Sequence, residues 1–304
     1  MAEFSKAQYR GHLIRGDLLG AIRYIKQFPE QAELAERYRK RFEGEEYAAS
    51  GEDAFLEAIL SAYRKYYRET FYLGMDREKA EDRLSGRLAR VLGAEKGTVE
   101  QLEEKVAETV RGRGLYFLGG RTSGWYGPYI WKAMETKTYQ VELPEGVQAY
   151  SIRLLDGFLS RSWLDDISFG KTGTGGWTDK EGTIHCVRAV YDLDSEDFQV
   201  SLLKHEAQHA RDLARDKNMP SAELEYRAKL VELIYSNERD MLGRFAQEAD
   251  SQDRRNGHAA ASGRIVEGFA QKLGMERKDF HGLARARVQA VAGELFAESG
   301  TGKF

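Results

Sequence analysis

The chain reads as an α+β protein: a helical N-terminal domain over 1–112, then a second domain over 113–304 with a small mixed sheet and C-terminal helices. Three observations carry this reading. Up to about residue 113, apolar side chains recur at three- and four-residue spacing, the period of a helix buried on one face. Between about 115 and 191, glycines and prolines punctuate short runs rich in Tyr, Val, Ile and Trp, the pattern of strands joined by turns. From about 195 onward the helical spacing returns.

In the first region Ala21, Tyr24 and Ile25 show the spacing, as do Phe55, Ala58, Ile59, Ala62, Tyr63 and Tyr66. Pro29 is its only strong breaker. Gly16 followed by Asp17 reads as a helix stop and a new N-cap, and Thr98 with Gln101 has the form of a capping box. Four or five helices are expected. The tyrosines interleaved with Arg and Lys from Tyr63 to Tyr72 read as core packing with basic stems at its edge, rather than as a binding face. Candidate strands follow at 115–118, 138–143, 148–154 and 183–191, with 179–182 as a hairpin turn into the last. The glycines from Gly170 to Gly176 read as a turn bordering a cleft, and Trp125, Tyr126, Tyr129 and Trp131 as core or cleft wall. The later helices are expected over 195–216, 221–249, 262–273 and 280–298. Asn218, Met219 and Pro220 separate the first two, and Ser221 is placed to cap the second.

Composition narrows the function classes. Of 304 residues 41% are hydrophobic and 31% charged, a globular balance that excludes a disordered chain. A net charge of -3 supplies no basic field, so neither nucleic acid nor an anionic membrane surface is an expected partner. Cys186 is the only cysteine, so no intramolecular disulfide can form. Charged residues interrupt the first twenty positions, and no apolar run approaches the ~18 residues of a membrane span, which together point to the cytoplasm. Gly170-Lys171-Thr172 fails as a phosphate loop because Asp165 stands where the pattern needs glycine, and the glycines from Gly119 to Gly124 do not fit the dinucleotide fingerprint.

One motif carries chemistry: His205-Glu206-Ala207-Gln208-His209, the H-E-x-x-H pattern. On a helix the two histidines lie about 40° apart and one turn separated, so both imidazoles can reach one ion. Glu206 falls within the same arc, beside the open coordination position, where it can take a proton from water and return it to a leaving group. Two imidazoles and one carboxylate, with a fourth position for water, form a ligand set used for catalytic Zn2+. With six histidines in the chain, a chance match is expected on the order of once in a hundred such sequences. The third ligand is open among Glu223, Glu225 and Glu232 on the next helix; an antiparallel return reaches the level of the motif between Glu225 and Glu232. The metzincin extension is absent, since Asp212 and Arg215 occupy its Gly and His positions. Asp212 is placed to accept a proton from a ligand imidazole, and His185 reads as structural.

His205-Glu-Ala-Gln-His209 followed by Glu225-Tyr-Arg-Ala228 resembles the gluzincin metallopeptidases, over some thirty residues and two helices. Lys229 departs from the Asp that thermolysin-like members carry four residues after the glutamate. The resemblance implies a zincin-like catalytic domain, a zinc ion held by His205, His209 and Glu225, and hydrolysis of peptides or proteins with Glu206 as base and then acid. It also implies a downstream His or Tyr at the oxyanion, for which His258 is the candidate and His281 and Tyr235 the alternatives. In such a fold the strand over 183–191 would be the edge that pairs with an extended peptide, the alternative being a strand buried on both sides. Two rival readings stay open: a regulatory or binding protein that keeps the metal without catalysis, and a zinc hydrolase acting on a non-peptide substrate.

Overall fold

A computed structural model describes residues 3–47, 51, 53–249 and 257–300. The chain is α+β. In order, its elements are α1 (Lys6–Ile14), α2 (Leu18–Ile25), α3 (Ala32–Tyr38), α4 (Ala54–Tyr67), α5 (Arg77–Leu92), α6 (Val99–Arg111), β1 (Tyr116–Leu118), β2 (Arg121–Thr122), β3 (Trp125–Tyr126), β4 (Tyr129–Trp131), β5 (Ala133–Leu143) and β6 (Gly146–Asp156). There follow β7 (Ser160–Arg161), α7 (Ser162–Ile167), β8 (Gly176–Thr178), β9 (Ile184–Val187), α8 (His205–Arg215), α9 (Ser221–Tyr235), α10 (Met241–Glu248), α11 (Gly257–Leu273) and α12 (Arg285–Ser299). Among the described residues no helix is long and apolar enough to cross a membrane.

The residues group into two compact units, one running to Ala133 and resuming at Asp156–Thr174, the other comprising Met134–Leu155 and everything from Gly175 onward. Strands β1 to β4 therefore cluster with the N-terminal helices, whereas a cut at 112/113 would have separated them.

In the first unit Asp17, Asp53 and Asp76 each accept a backbone N–H three residues on, capping α2, α4 and α5. Thr98 and Gln101 form the reciprocal capping box of α6. Among the described residues six α-helices precede the first strand, where four or five were expected. The difference arises early in the chain, where Gly16 takes φ +71° after α1 and Pro29 opens a 3-10 turn after α2, leaving three short helices. Tyr63, Tyr66, Tyr67 and Phe71 are all buried and share a core with Leu84, Leu88, Leu102 and Val106, so this aromatic stripe is packing. β4 lies between β1 and β7, antiparallel to both.

Buried in this unit, Glu103 accepts from Tyr63 Oη at 2.6 Å and from the Gly120 N–H at 2.7 Å. Burial pushes its carboxyl up to about 7, more than those two donors and Arg121 pull it down. A carboxyl raised in the folded state adds stability that is complete below its unfolded value near 4.5 and is lost as pH rises through about 7. Relative to Glu103→Gln, the wild-type protein should lose about 3 kcal/mol of unfolding free energy between roughly pH 5 and pH 8.5. Denaturant melts of both proteins at the two pH values check this; parallel curves would refute it.

The second unit holds a four-stranded mixed sheet in the order β5-β6-β9-β8, with β9 parallel to β6 and antiparallel to β8. β5 and β6 are joined by only Pro144 and Glu145, and Tyr150, Ile152 and Leu154 alternate inward along β6. These side chains share a core with Phe198, Leu202, Leu203, Ala207 and Ala210 from the motif helix and the turns before it. The hairpin turn over 179–182 closes with Asp179 N–H donating to Thr183 O and Gly182 N–H to Asp179 O.

Three expectations change here. The strand expected over 183–191 is short, buried along its length and internal, since β6 and β8 occupy its two sides; the sheet's edges are β5 and β8, and β8 begins at Gly176, where the stretch read as a turn ends. The helix expected over 221–249 breaks after Tyr235, because Glu196 collects the Ser236 hydroxyl and the backbone N–H groups of Asn237 and Glu238, donors a continuing helix would use internally. Ser221 is the first helical residue of α9 rather than its cap, the cap position being Pro220. Asn256, expected in the loop before His258, lies outside the described residues.

Candidate metal centre

The motif helix arrives unusually: residues 197–204 form π-helical turns and regular α-helix begins at His205. His205 and His209 lie one turn apart on α8, their rings 4.6 Å apart and nearly perpendicular, both buried. Helix α9 brings Glu225 opposite them. Its carboxylate oxygens stand 3.5 Å from His205 Nε2 and 3.6 Å from His209 Nε2. Those separations exceed ordinary hydrogen bonds. They match the ~3.3 Å between ligand atoms that a tetrahedral ion with bonds near 2.05 Å requires. The three donors all lie within 4.8 Å of one another, a spacing that could hold one metal ion.

Electrostatics favour a cation at this point. Burial works against a charged His205, but the carboxylates of Glu225 and Glu232 outweigh it and hold the imidazole well above its usual protonation range. Burial likewise opposes an ionised Glu225, and the imidazoles of His205, His209 and His258 overcome it, holding that carboxyl well below the usual range. Both directions express one demand, for positive charge between buried carboxylates.

Glu232, two turns beyond Glu225, takes a role that spacing alone did not assign. Its Oε1 lies 2.7 Å from His205 Nδ1 and accepts a hydrogen bond there, which in the neutral imidazole leaves the Nε2 lone pair for a shared ion. Glu232 is buried, not the surface carboxylate its position on a helix suggested. Asp212, expected to serve an imidazole, is instead held by Arg227 Nε at 2.8 and 2.9 Å and by Gln208 Nε2 at 3.0 Å. If the cluster takes up a divalent ion such as zinc, removing the Glu232 carboxylate with Glu232→Ala should weaken that binding about 10- to 100-fold. Competition against a chromophoric chelator measures it, and an unchanged affinity would remove Glu232 from the site.

The remaining candidates are distributed as follows. Glu223 pairs with Arg264 and stands outside the cluster. His258, at the start of α11, places Nδ1 2.9 Å from Glu225 Oε2, with its ring 6.4 Å from that of His205 and its side chain half-exposed. His281 pairs with Asp240 at 2.9 Å, and Tyr235 lies under the Lys204 ammonium; neither belongs to the cluster. His185 bonds Asp179 at 3.0 Å and stacks on Trp177, a structural placement. Burial pushes the Cys186 thiol up to about 12, which removes it as a ligand or nucleophile near neutral pH.

Glu206 is buried beside the cluster without belonging to it, and its Oε2 accepts from Thr178 Oγ1 at 2.8 Å. Thr178 ends β8, so the edge strand runs against the motif helix. Glycine lets this stretch pack closely on its neighbours: a Cβ on Gly176 would crowd Leu202 Cδ1, in the turns before α8, and one on Gly175 the Tyr191 hydroxyl. Neither Thr178 nor β8 was singled out from sequence; the only signal was the pair of glycines before Trp177. No known protein family, curated protein or solved structure matches the chain.

Proposed function

We propose that the chain is a zinc-dependent metallopeptidase with a zincin-like catalytic domain, its ion held by His205, His209 and Glu225. The observation that carries the reading is the convergence of those three donors at ion-sharing separations, with a further carboxylate, Glu206, beside them and outside the ligand set. When bound, zinc supplies Lewis acidity, lowering the pKa of water and polarising a carbonyl.

The chain's own groups do the rest. Glu206 accepts a proton from the attacking water and delivers it to the departing amine. Glu232 keeps His205 in the ligating tautomer. His258, anchored near Glu225, is the candidate donor to the oxyanion. The edge strand β8 offers backbone groups to an extended polypeptide, the feature that favours a peptide over a compact substrate.

Metal content and cleavage, measured together, test the reading. Purified protein should bind close to one equivalent of zinc, lose it in His205→Ala, and cleave an unfolded polypeptide such as reduced, alkylated casein only when loaded. Zinc bound without cleavage across unfolded polypeptides would favour a non-catalytic binding role, and no bound zinc would end the proposal.

A further inference from the structure

Thr178 meets Glu206 twice. Its hydroxyl oxygen lies 2.8 Å from Glu206 Oε2 and 3.0 Å from the Glu206 backbone oxygen. A hydroxyl carries one proton, and the carboxylate oxygen is the stronger acceptor, so the bond to Oε2 is the one that fixes the carboxylate. Oε2 is thereby engaged, and Oε1 is the oxygen left to carry a transferred proton.

The backbone of the same residue has a second orientation. β8 pairs with β9 in the register Gly176↔Cys186, Trp177↔His185, Thr178↔Ile184. Val187 N–H donates to Gly175 O and Asp179 N–H to Thr183 O, so residues 175 and 179, and 177 between them, form the set that bonds to β9. Alternation in an antiparallel pair then turns the N–H and C=O groups of Gly176 and Thr178 away from β9, toward whatever lies along the edge. One residue faces an edge-bound chain with its backbone and the proton carrier with its side chain.

We propose that Thr178 is a positioning residue: its hydroxyl holds Glu206 in its working rotamer, and its backbone sets the register of an extended polypeptide against that carboxylate. The inference rests on the reading of Glu206 as the proton carrier. It requires no group beyond those already named.

The test uses protein loaded with Co2+ and titrated with acetohydroxamate, a bidentate metal ligand that places a proton on a neighbouring carboxylate, with binding followed in the visible spectrum. Thr178→Val removes the hydroxyl at nearly constant shape, Thr178→Ser restores it, and Glu206→Gln reports the loss of the carboxylate. Thr178→Val should bind one cobalt as the wild type does, bind acetohydroxamate about 10- to 100-fold more weakly, and lower kcat on casein by a similar factor with less change in KM. Thr178→Ser should return both to within about threefold of wild type.

Wild-type acetohydroxamate affinity in Thr178→Val, with weakened binding in Glu206→Gln, would overturn the positioning role and leave the metallopeptidase reading standing. Undiminished binding in Glu206→Gln, or no cobalt uptake by the wild type, would remove the reading and the inference together. Loss of cobalt from Thr178→Val, or failure of serine to rescue, would assign Thr178 to packing and overturn the proposal.

Discussion

Glu206→Gln should keep its zinc and lose hydrolysis, with kcat on unfolded polypeptide lower by about 100- to 10,000-fold. Retention of metal follows from the proposed donor set: His205, His209 and Glu225 are the group that could hold an ion, and Glu206 stands outside it. An amide fills the space of the carboxylate and can still accept from Thr178 Oγ1, so the packing of β8 on α8 should persist. What the amide cannot do is accept and return a proton. The loss should therefore fall on kcat, with KM nearly unchanged, because the missing interaction acts only in the transition state. Metal analysis of the variant alongside kcat and KM decides it, and undiminished turnover would exclude Glu206 from the mechanism.

What could be read in the sequence divides along a physical line. His205, Glu206 and His209 were legible because their arrangement depends only on helical period, a property of local backbone. The capping box at Thr98 and the cap at Asp17 were legible for the same reason. Glu225 needed more, since spacing alone narrowed the third ligand, among Glu223, Glu225 and Glu232, only to the level between Glu225 and Glu232, and the resemblance chose Glu225. In the structure these three neighbours have three different partners: an arginine for Glu223, the two imidazoles for Glu225, and the back of one imidazole for Glu232. Which face of α9 meets α8 decides among them, and that is a tertiary fact. Asp212 shows the same limit. Its angle on the helix allowed a contact with an imidazole, but Arg227 from the facing helix lies closer and offers a charge. β8 escaped notice because a strand of three residues, one of them glycine, has no period to detect.

The other large effect concerns the pair that ties together α8 and α9, the two helices carrying the candidate ligands. Arg227 on α9 is fully buried, with Nε on both oxygens of Asp212, one terminal nitrogen 2.7 Å from Ser299 Oγ and the other 3.2 Å from Glu145 Oε1. Its guanidinium also lies over the Phe296 ring at 4.3 Å. Arg227 sits two residues after Glu225 and Asp212 three after His209, so this ion pair ties α8 to α9 one turn from the three donors. Arg227→Ala would leave Asp212 charged, buried and without its cation, and should cost about 3–5 kcal/mol of unfolding free energy. Lysine should not restore it, because a single ammonium cannot reach Asp212, Ser299 and Glu145 from one place. Neutralising the partner is the informative control. In Arg227→Met with Asp212→Asn the uncompensated charge is gone, and the double variant should be more stable than Arg227→Met alone. Chemical denaturation of the four proteins gives the cycle. Because a slip between α8 and α9 would spread donors now held 3.5 and 3.6 Å apart, Arg227→Ala should also weaken zinc binding although the arginine touches no ligand. Zinc affinity unchanged in a destabilised Arg227→Ala protein would show that the helices keep their register without this pair.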